Sequence, residues 1–292
     1  MQTNEAKSSG STKKWLTGCA IGCGAIILIL ILLGVSGFFF IKNIVQEFKD
    51  TEALMSTLTE RYGRIKDYCP DPDGAIRSER IEAFLSARDA FAPARKKLET
   101  TLETLSEGKI ESEIEVKTPK NVFKMIKLGF GVIPQISEYF KSRNQALLDA
   151  EMGMGEYYFI YVVAYYSWLK KPPEDGPDFQ LVGQSEDYDY WDEEVELEAR
   201  RDRLLKRVHR MTLPMLHNQF EKLTSGNITG VQNKWRRILA SEIKAMESDR
   251  FRLPWQDGLP AILEASLRSF REQLEASYST MTNPLEVALE QR

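Results

Sequence analysis

Chemistry in a protein needs particular side chains at particular spacings, and this sequence offers few such sets. Its two histidines, His209 and His217, lie eight apart on one predicted helix, which turns them about 80° from each other. No His or Cys stands close by to complete a metal site. Cys19, Cys23 and Cys69 are too few for a disulfide framework. H-E-x-x-H, C-x-x-C, a phosphate-binding glycine loop and G-x-S-x-G are all missing. Acidic residues are abundant but sit mainly on charged helix faces. Carboxylate pairs assembled from distant positions are the one catalytic route the sequence leaves open. No catalytic, cofactor-binding or metal-ligating residue is assigned, and the chain reads as non-catalytic.

The run Cys69-Pro70-Asp71-Pro72-Asp73-Gly74 has part of a calcium loop. With Gly74 at loop position 6, Cys69 would take position 1 and Arg80 position 12, where a bidentate glutamate is required. A turn that starts a helix accounts for the run better.

The polar residues that stand out are arginines on an apolar stripe. Ile81, Phe84, Arg88, Phe91, Arg95, Leu98, Leu102 and Leu105 follow helical three–four spacing. Arg88 and Arg95 occupy seam positions, and Pro93 between them is expected to kink the helix. Glu156 opens an otherwise uncharged run, where an unpaired carboxylate would be costly to bury. Arg88 and Arg95 are the candidates to neutralise it. The preferred reading of Arg88, Arg95 and Glu156 is an internal ion pair; the alternative is a site for a small anionic ligand.

These residues need elements to hold them. Leu16 to Ile41 is 26 residues without a charge, and as a helix it would span about 39 Å, enough to cross a bilayer with tilt. Lys13, Lys14 and Trp15 mark one interface, and Phe38–Phe40 with Lys42 the other. The run is too long for a cleaved signal peptide, and Cys19 lacks the preceding apolar stretch of a lipoprotein site. The chain therefore divides into a short basic tail (1–15), a transmembrane helix (16–41) and a helical domain (43–292). Lysines before the span outnumber those just after it by one, which favours a domain on the non-cytoplasmic side of a single-pass membrane protein. Gly18 and Gly22 form a G-x-x-x-G pair through which two membrane helices could pack into a homodimer. Glycine is also simply common in membrane helices.

Beyond the span, Ile44, Phe48, Thr51, Met55, Leu58, Tyr62 and Ile65 follow a heptad seam. A bundle helix within the chain is preferred over a dimeric stalk, because ample sequence follows to cover that stripe. One helix is expected over residues 119–128, broken by Gly129, Gly131 and Pro134, and a long one over 135–169. Residues 157–169 carry no charge and five tyrosines. That is short for a membrane span and suits a buried helix whose hydroxyls find partners. The acidic stretch from Glu186 to Glu198 gives way to Arg200, Arg201, Arg203, Lys206, Arg207 and Arg210, a sign change that complements a helix dipole. Further helices are expected over 231–246, from Pro260 to about Tyr278, and after Asn283-Pro284.

The class is thus all-α: one N-terminal transmembrane helix continuing into an irregular bundle of five to seven helices. The net charge is −4, and it is more negative still beyond the basic tail, which argues against nucleic acid as a partner. The expected function is a membrane-anchored, non-catalytic binding or scaffold protein. It would contact the bilayer through residues 16–41, itself through Gly18 and Gly22, and a protein partner through its helical surface. The alternative is a ligand-sensing ectodomain with an anionic site near Arg88 and Arg95, which would need a partner subunit for output.

Overall fold

Residues 157–167 are buried without interruption, as expected of a helix that is apolar on every side. They form a central helical segment that contacts the helices Ser78–Ala90 and Arg271–Ser277. The computed structural model describes residues 50–107, 119–177, 193–226 and 228–287, all within one compact unit, Asp50–Arg292. The expected transmembrane helix, its Gly18 and Gly22 contact, and most of the acidic stretch lie outside the described residues. Among the described residues there is no strand, and no helix is long and apolar enough to cross a membrane. The tyrosine-rich run is core.

The chain enters as α1 (50–62). Leu58 and, just beyond the helix, Ile65 are buried, and Met55 and Tyr62 pack against the same core. The described half of the seam is therefore covered by its own chain. A short 3-10 turn, Ile65–Asp67, leads through the Pro–Asp turn into α2 (Ser78–Ala90) and α3 (Ala92–Glu107). Pro93 does more than kink one helix: the chain turns at Phe91 and restarts, placing Pro93 in the first turn of α3, where its missing N–H costs little.

Two further expectations are corrected. α4 (Pro119–Asp149) runs without a break through Gly129, Gly131 and Pro134; in a helix interior glycine only lowers propensity and proline removes one hydrogen bond, so neither is an obligatory stop. The real break comes at residues 150–153, before α5 (Met154–Tyr161). Glu151 turns left-handed there, with a φ of +49°, and the Met152 N–H closes on the Leu147 carbonyl (2.9 Å), while two glycines let the start of α5 pack closely. A Cβ on Gly153 would lie 2.6 Å from that of Tyr62, and one on Gly155 2.6 Å from both the Ile65 carbonyl oxygen and the Tyr68 Cβ. α5 then widens into a π-helical segment, Val162–Trp168.

α6 (Glu193–Thr224) and α7 (Gly230–Ser248) pack side by side. α7 starts from a capping box in which Thr229 and Gln232 exchange side-chain-to-backbone hydrogen bonds. The helix expected from Pro260 to Tyr278 is divided into α8 (Ala261–Leu267), a 3-10 turn (Arg268–Phe270) and α9 (Arg271–Ser277), with no Pro or Gly to announce the change. α10 (Asn283–Glu286) follows Asn283-Pro284 as expected. Together these breaks give more helices than five to seven.

The motifs Pro70-x-x-Asp-Gly74 and Pro254-x-x-Asp-Gly258 echo each other in sequence and meet in space on one side chain. Gly74 lies against the face of Trp235, whose ring centroid is 5.9 Å from that of Trp255. Gly74 also has a φ of +82°, a region where a Cβ is strained. Gly74→Ala should therefore clash with the indole as well as strain the turn, and lower stability by at least about 2 kcal/mol. Urea unfolding followed by circular dichroism measures this.

Candidate functional site

Arg88 is one of two arginines among the described residues with no solvent exposure. The stripe of α2 aims it at the central helix, where a buried guanidinium is costly unless most of its donors find partners. From Nη1 it donates to the Tyr157 hydroxyl (2.7 Å) and to Glu286 Oε1 (3.0 Å). From Nε and Nη2 it donates to the carbonyl of Ser277 (3.1 and 2.6 Å). The rings of Phe84, Phe91, Tyr161 and Tyr165 surround it, with centroids 5.3–5.8 Å from its central carbon, a distance at which ring faces attract a cation.

Ser277 ends α9, so its carbonyl is one of those a helix leaves unsatisfied, at the negative pole of the helix dipole. Arg95 Nη1 also donates to it (3.0 Å). The two seam arginines thus do converge, but on a helix C-terminus. Glu156 pairs instead with Arg80, which holds it by two 2.6 Å bonds from Nε and Nη2. Arg80 also reaches the Glu151 carbonyl (3.1 Å), bracing the break before α5. The expected neutralisation of Glu156 by Arg88 or Arg95 is therefore corrected. Arg80 lies one position before the Ile81 stripe, on its solvent edge, and reaches a carboxylate that is itself half-buried.

The carboxylate that answers Arg88 is Glu286 of α10. It accepts from Tyr157 as well (2.8 Å) and lies 4.0 Å from a second fully buried arginine, Arg143. Arg143 stands over the Phe140 ring and donates to Asn144 Oδ1 (3.3 Å). Burial opposes the Glu286 charge, but Arg88, Arg143 and Tyr157 outweigh it and hold the carboxyl below its ordinary value. Burial pushes the hydroxyls of Tyr139, Tyr157, Tyr158, Tyr161, Tyr165 and Tyr166 upward. Around neutrality the site holds an ionised glutamate, two cations and neutral phenols.

The π segment completes the arrangement. Residues five apart on an α-helix point about 140° away from each other, whereas i→i+5 bonding brings them onto one face. Tyr161 and Tyr166 both donate to Asn283 Oδ1, at 2.9 and 2.7 Å. Asn283 Nδ2 in turn donates to the carbonyls of Pro173 and Asp175. Tyr165 meets the Ser277 hydroxyl at 2.7 Å. α10 is thereby clamped from two sides.

No family model, curated protein or solved structure matches this chain. Its reading rests on its own residues.

The remaining sequence candidates are placed apart. His209 Nε2 contacts the Met246 carbonyl (2.8 Å), and His217 Nε2 lies 3.2 Å from Glu247 Oε1. Asp71 pairs with Arg77 and Asp73 accepts from the Ala75 N–H, as a turn that starts a helix requires. Among the described residues no group of His, Cys, Asp and Glu could hold a metal ion. Sequence reasoning missed Glu286 and Arg143. Each carried a signal: Glu286 sits between Leu285 and Val287, and Arg143 holds a seam position with Ile136, Tyr139 and Leu147.

Breaking this cluster from one side should strand a buried charge. Arg88→Met alone is expected to cost about 3–5 kcal/mol, and Arg88→Met with Glu286→Leu less than the sum of the single changes. Equilibrium unfolding of the three variants checks this. The pH dependence follows from the depressed Glu286 carboxyl. Its contribution is complete above the ordinary value of 4.5 and is lost as pH falls below that, through the folded-state value. Glu286→Gln should flatten that acid limb of the stability profile.

Proposed function

We propose that this chain is a membrane-anchored, non-catalytic helical binding or scaffold protein whose anchor also promotes self-association. The observation that carries the reading is the use made of the polar interior. Arg88, Tyr157 and Glu286 hold one another and the end of α9, so the most unusual side chains serve architecture. Their ionisation states are locked over the neutral range, which suits a rigid body better than proton transfer. The uncharged run of residues 16–41 supplies the tether. The small residues Gly18 and Gly22 supply a face for close helix contact.

A second reading is favoured by one observation: two fully buried arginines share a single fully buried carboxylate. An excess cation is what a ligand-sensing ectodomain would use to receive an anion, and such a protein would work with a partner subunit. Arg95→Ala separates the readings. With sulfate or acetate as probe, a scaffold shows the same small thermal shift before and after the change. A sensor loses a ligand-induced stabilisation while keeping its fold.

The anchor predicts that the full chain stays in the membrane pellet after alkaline carbonate extraction; release into the supernatant would remove the premise. Self-association predicts that Gly18→Leu with Gly22→Leu lowers interchain crosslinking in membranes by more than half. Unchanged crosslinking sinks that contact. Cys69 is half-buried and burial pushes its thiol up, so an impermeant maleimide should label it slowly. Labelling in intact cells is expected for a non-cytoplasmic domain. Labelling only after lysis reverses the topology, and a denatured control sets the full signal.

A further inference from the structure

A cavity of about 440 Å³ opens between α3, α4, α6 and the segment leading into α10, within the size range of small-molecule sites. Its apolar wall includes Leu102 of α3, Val132 and Ile136 of α4, Leu204 of α6, and Met281 and Leu285. One side is different. Arg200, Arg203 and Arg207 follow i, i+3, i+7 spacing on α6 and all line the cavity. The described lining contains no carboxylate, in a chain whose net charge is −4. No described carboxylate pairs with Arg200 or Arg203. Arg207 donates to the Val287 carbonyl (3.2 Å), next to Glu286, so the inner end of the row is tied to the buried cluster.

A second cavity, of about 520 Å³, shows what an ordinary polar cleft looks like in the same protein. There Lys170, Lys171 and Arg201 are met by Glu174, Glu198, Asp202 and Asp249. The first cavity combines an apolar body with Arg200 and Arg203, and its described lining holds no carboxylate. Two exposed hydrophobics, Ile133 and Leu197, flank it in sequence, beside Val132 and one turn before Arg200.

We infer that this cavity binds a single-chain anionic amphiphile, its carboxylate or phosphate head on Arg200 and Arg203 and its alkyl tail against Ile136, Leu204 and Leu285. Guanidinium groups bind both head groups by charge-assisted hydrogen bonds, and the tail gains from leaving water. A free inorganic anion would leave the apolar wall unused, and a neutral alcohol would leave the arginines unanswered. The inference goes beyond the scaffold reading, and its test rests on the anchor of that reading to hold the chain in a bilayer, which the carbonate extraction checks separately.

The test is equilibrium binding of radiolabelled dodecanoate and of dodecyl phosphate to the full chain in phosphatidylcholine nanodiscs, with empty nanodiscs subtracted. The expected result is saturable binding of one amphiphile per chain. Arg200→Ala and Arg203→Ala should each weaken it roughly tenfold or more. Ile136→Trp, which fills the cavity, should abolish it, and circular dichroism melts identify any variant that has lost its fold. Tighter binding of dodecanoate points to a free fatty acid, and tighter binding of dodecyl phosphate to a phospholipid-type head; either supports the site. Absence of saturable binding overturns the inference. So does equal binding of dodecanol, competition by acetate or phosphate alone, or affinity unchanged in folded Arg200→Ala and Arg203→Ala.

Discussion

Two guanidinium groups and one carboxylate share the interior of this helical domain, and each costs several kcal/mol to remove from water. The arrangement is tolerable only because nearly every direction around Arg88 is answered: a carboxylate oxygen, a phenol, a helix-terminal carbonyl and four aromatic faces. That requirement propagates outward. Glu286 must be delivered by α10, Ser277 by the end of α9, and Tyr157 by the first turns of α5. The positions of three separate elements are thereby tied to one side chain of α2. Sequence-distant helices that share mostly apolar contacts could slide by a residue at modest cost, whereas a fork of directed hydrogen bonds resists such slippage.

The π-helical turn answers a related demand. A tyrosine-rich α-helix would send the hydroxyls of Tyr161 and Tyr166 in different directions, and a buried phenol without a partner is expensive. Widening the helix brings both to Asn283, whose amide then has both of its donors on the 173–175 loop. Helix irregularity here exchanges ideal backbone geometry for satisfaction of side chains. The same exchange appears at Ser167, whose hydroxyl bridges to the Pro254 carbonyl at 2.7 Å.

Much of this was legible from periodicity. The helical class, the in-chain cover of Leu58 and Ile65, the buried tyrosine run and the short helix after Asn283-Pro284 all follow from apolar spacing and turn residues. Arg88 and Arg95 were conspicuous because a cation on an apolar stripe demands an explanation. Their partners were not legible, because Ser277 contributes a carbonyl that every residue possesses, and Glu286 is one of many acids. Helix ends were read least well. Gly129, Gly131 and Pro134 advertise a break that the helix does not make, while the division at Arg268–Phe270 has no composition signal. At Gly153 and Gly155 the glycines were visible, but their reason, contact with Tyr62, Ile65 and Tyr68, is a property of three dimensions.

The distance along the chain between Arg88 and Glu286, 198 residues, also sets a clock. A ribosome adding about 5–20 residues per second needs on the order of 10–40 s to travel between them. Throughout that interval α2 exists without the acid that makes its buried arginine tolerable, and the tyrosines of α5 exist without Asn283. Nascent chain of this kind holds no closed core to commit to. Closure is deferred until distant segments arrive, which lengthens the window in which apolar stripes are open to chaperones and to aggregation.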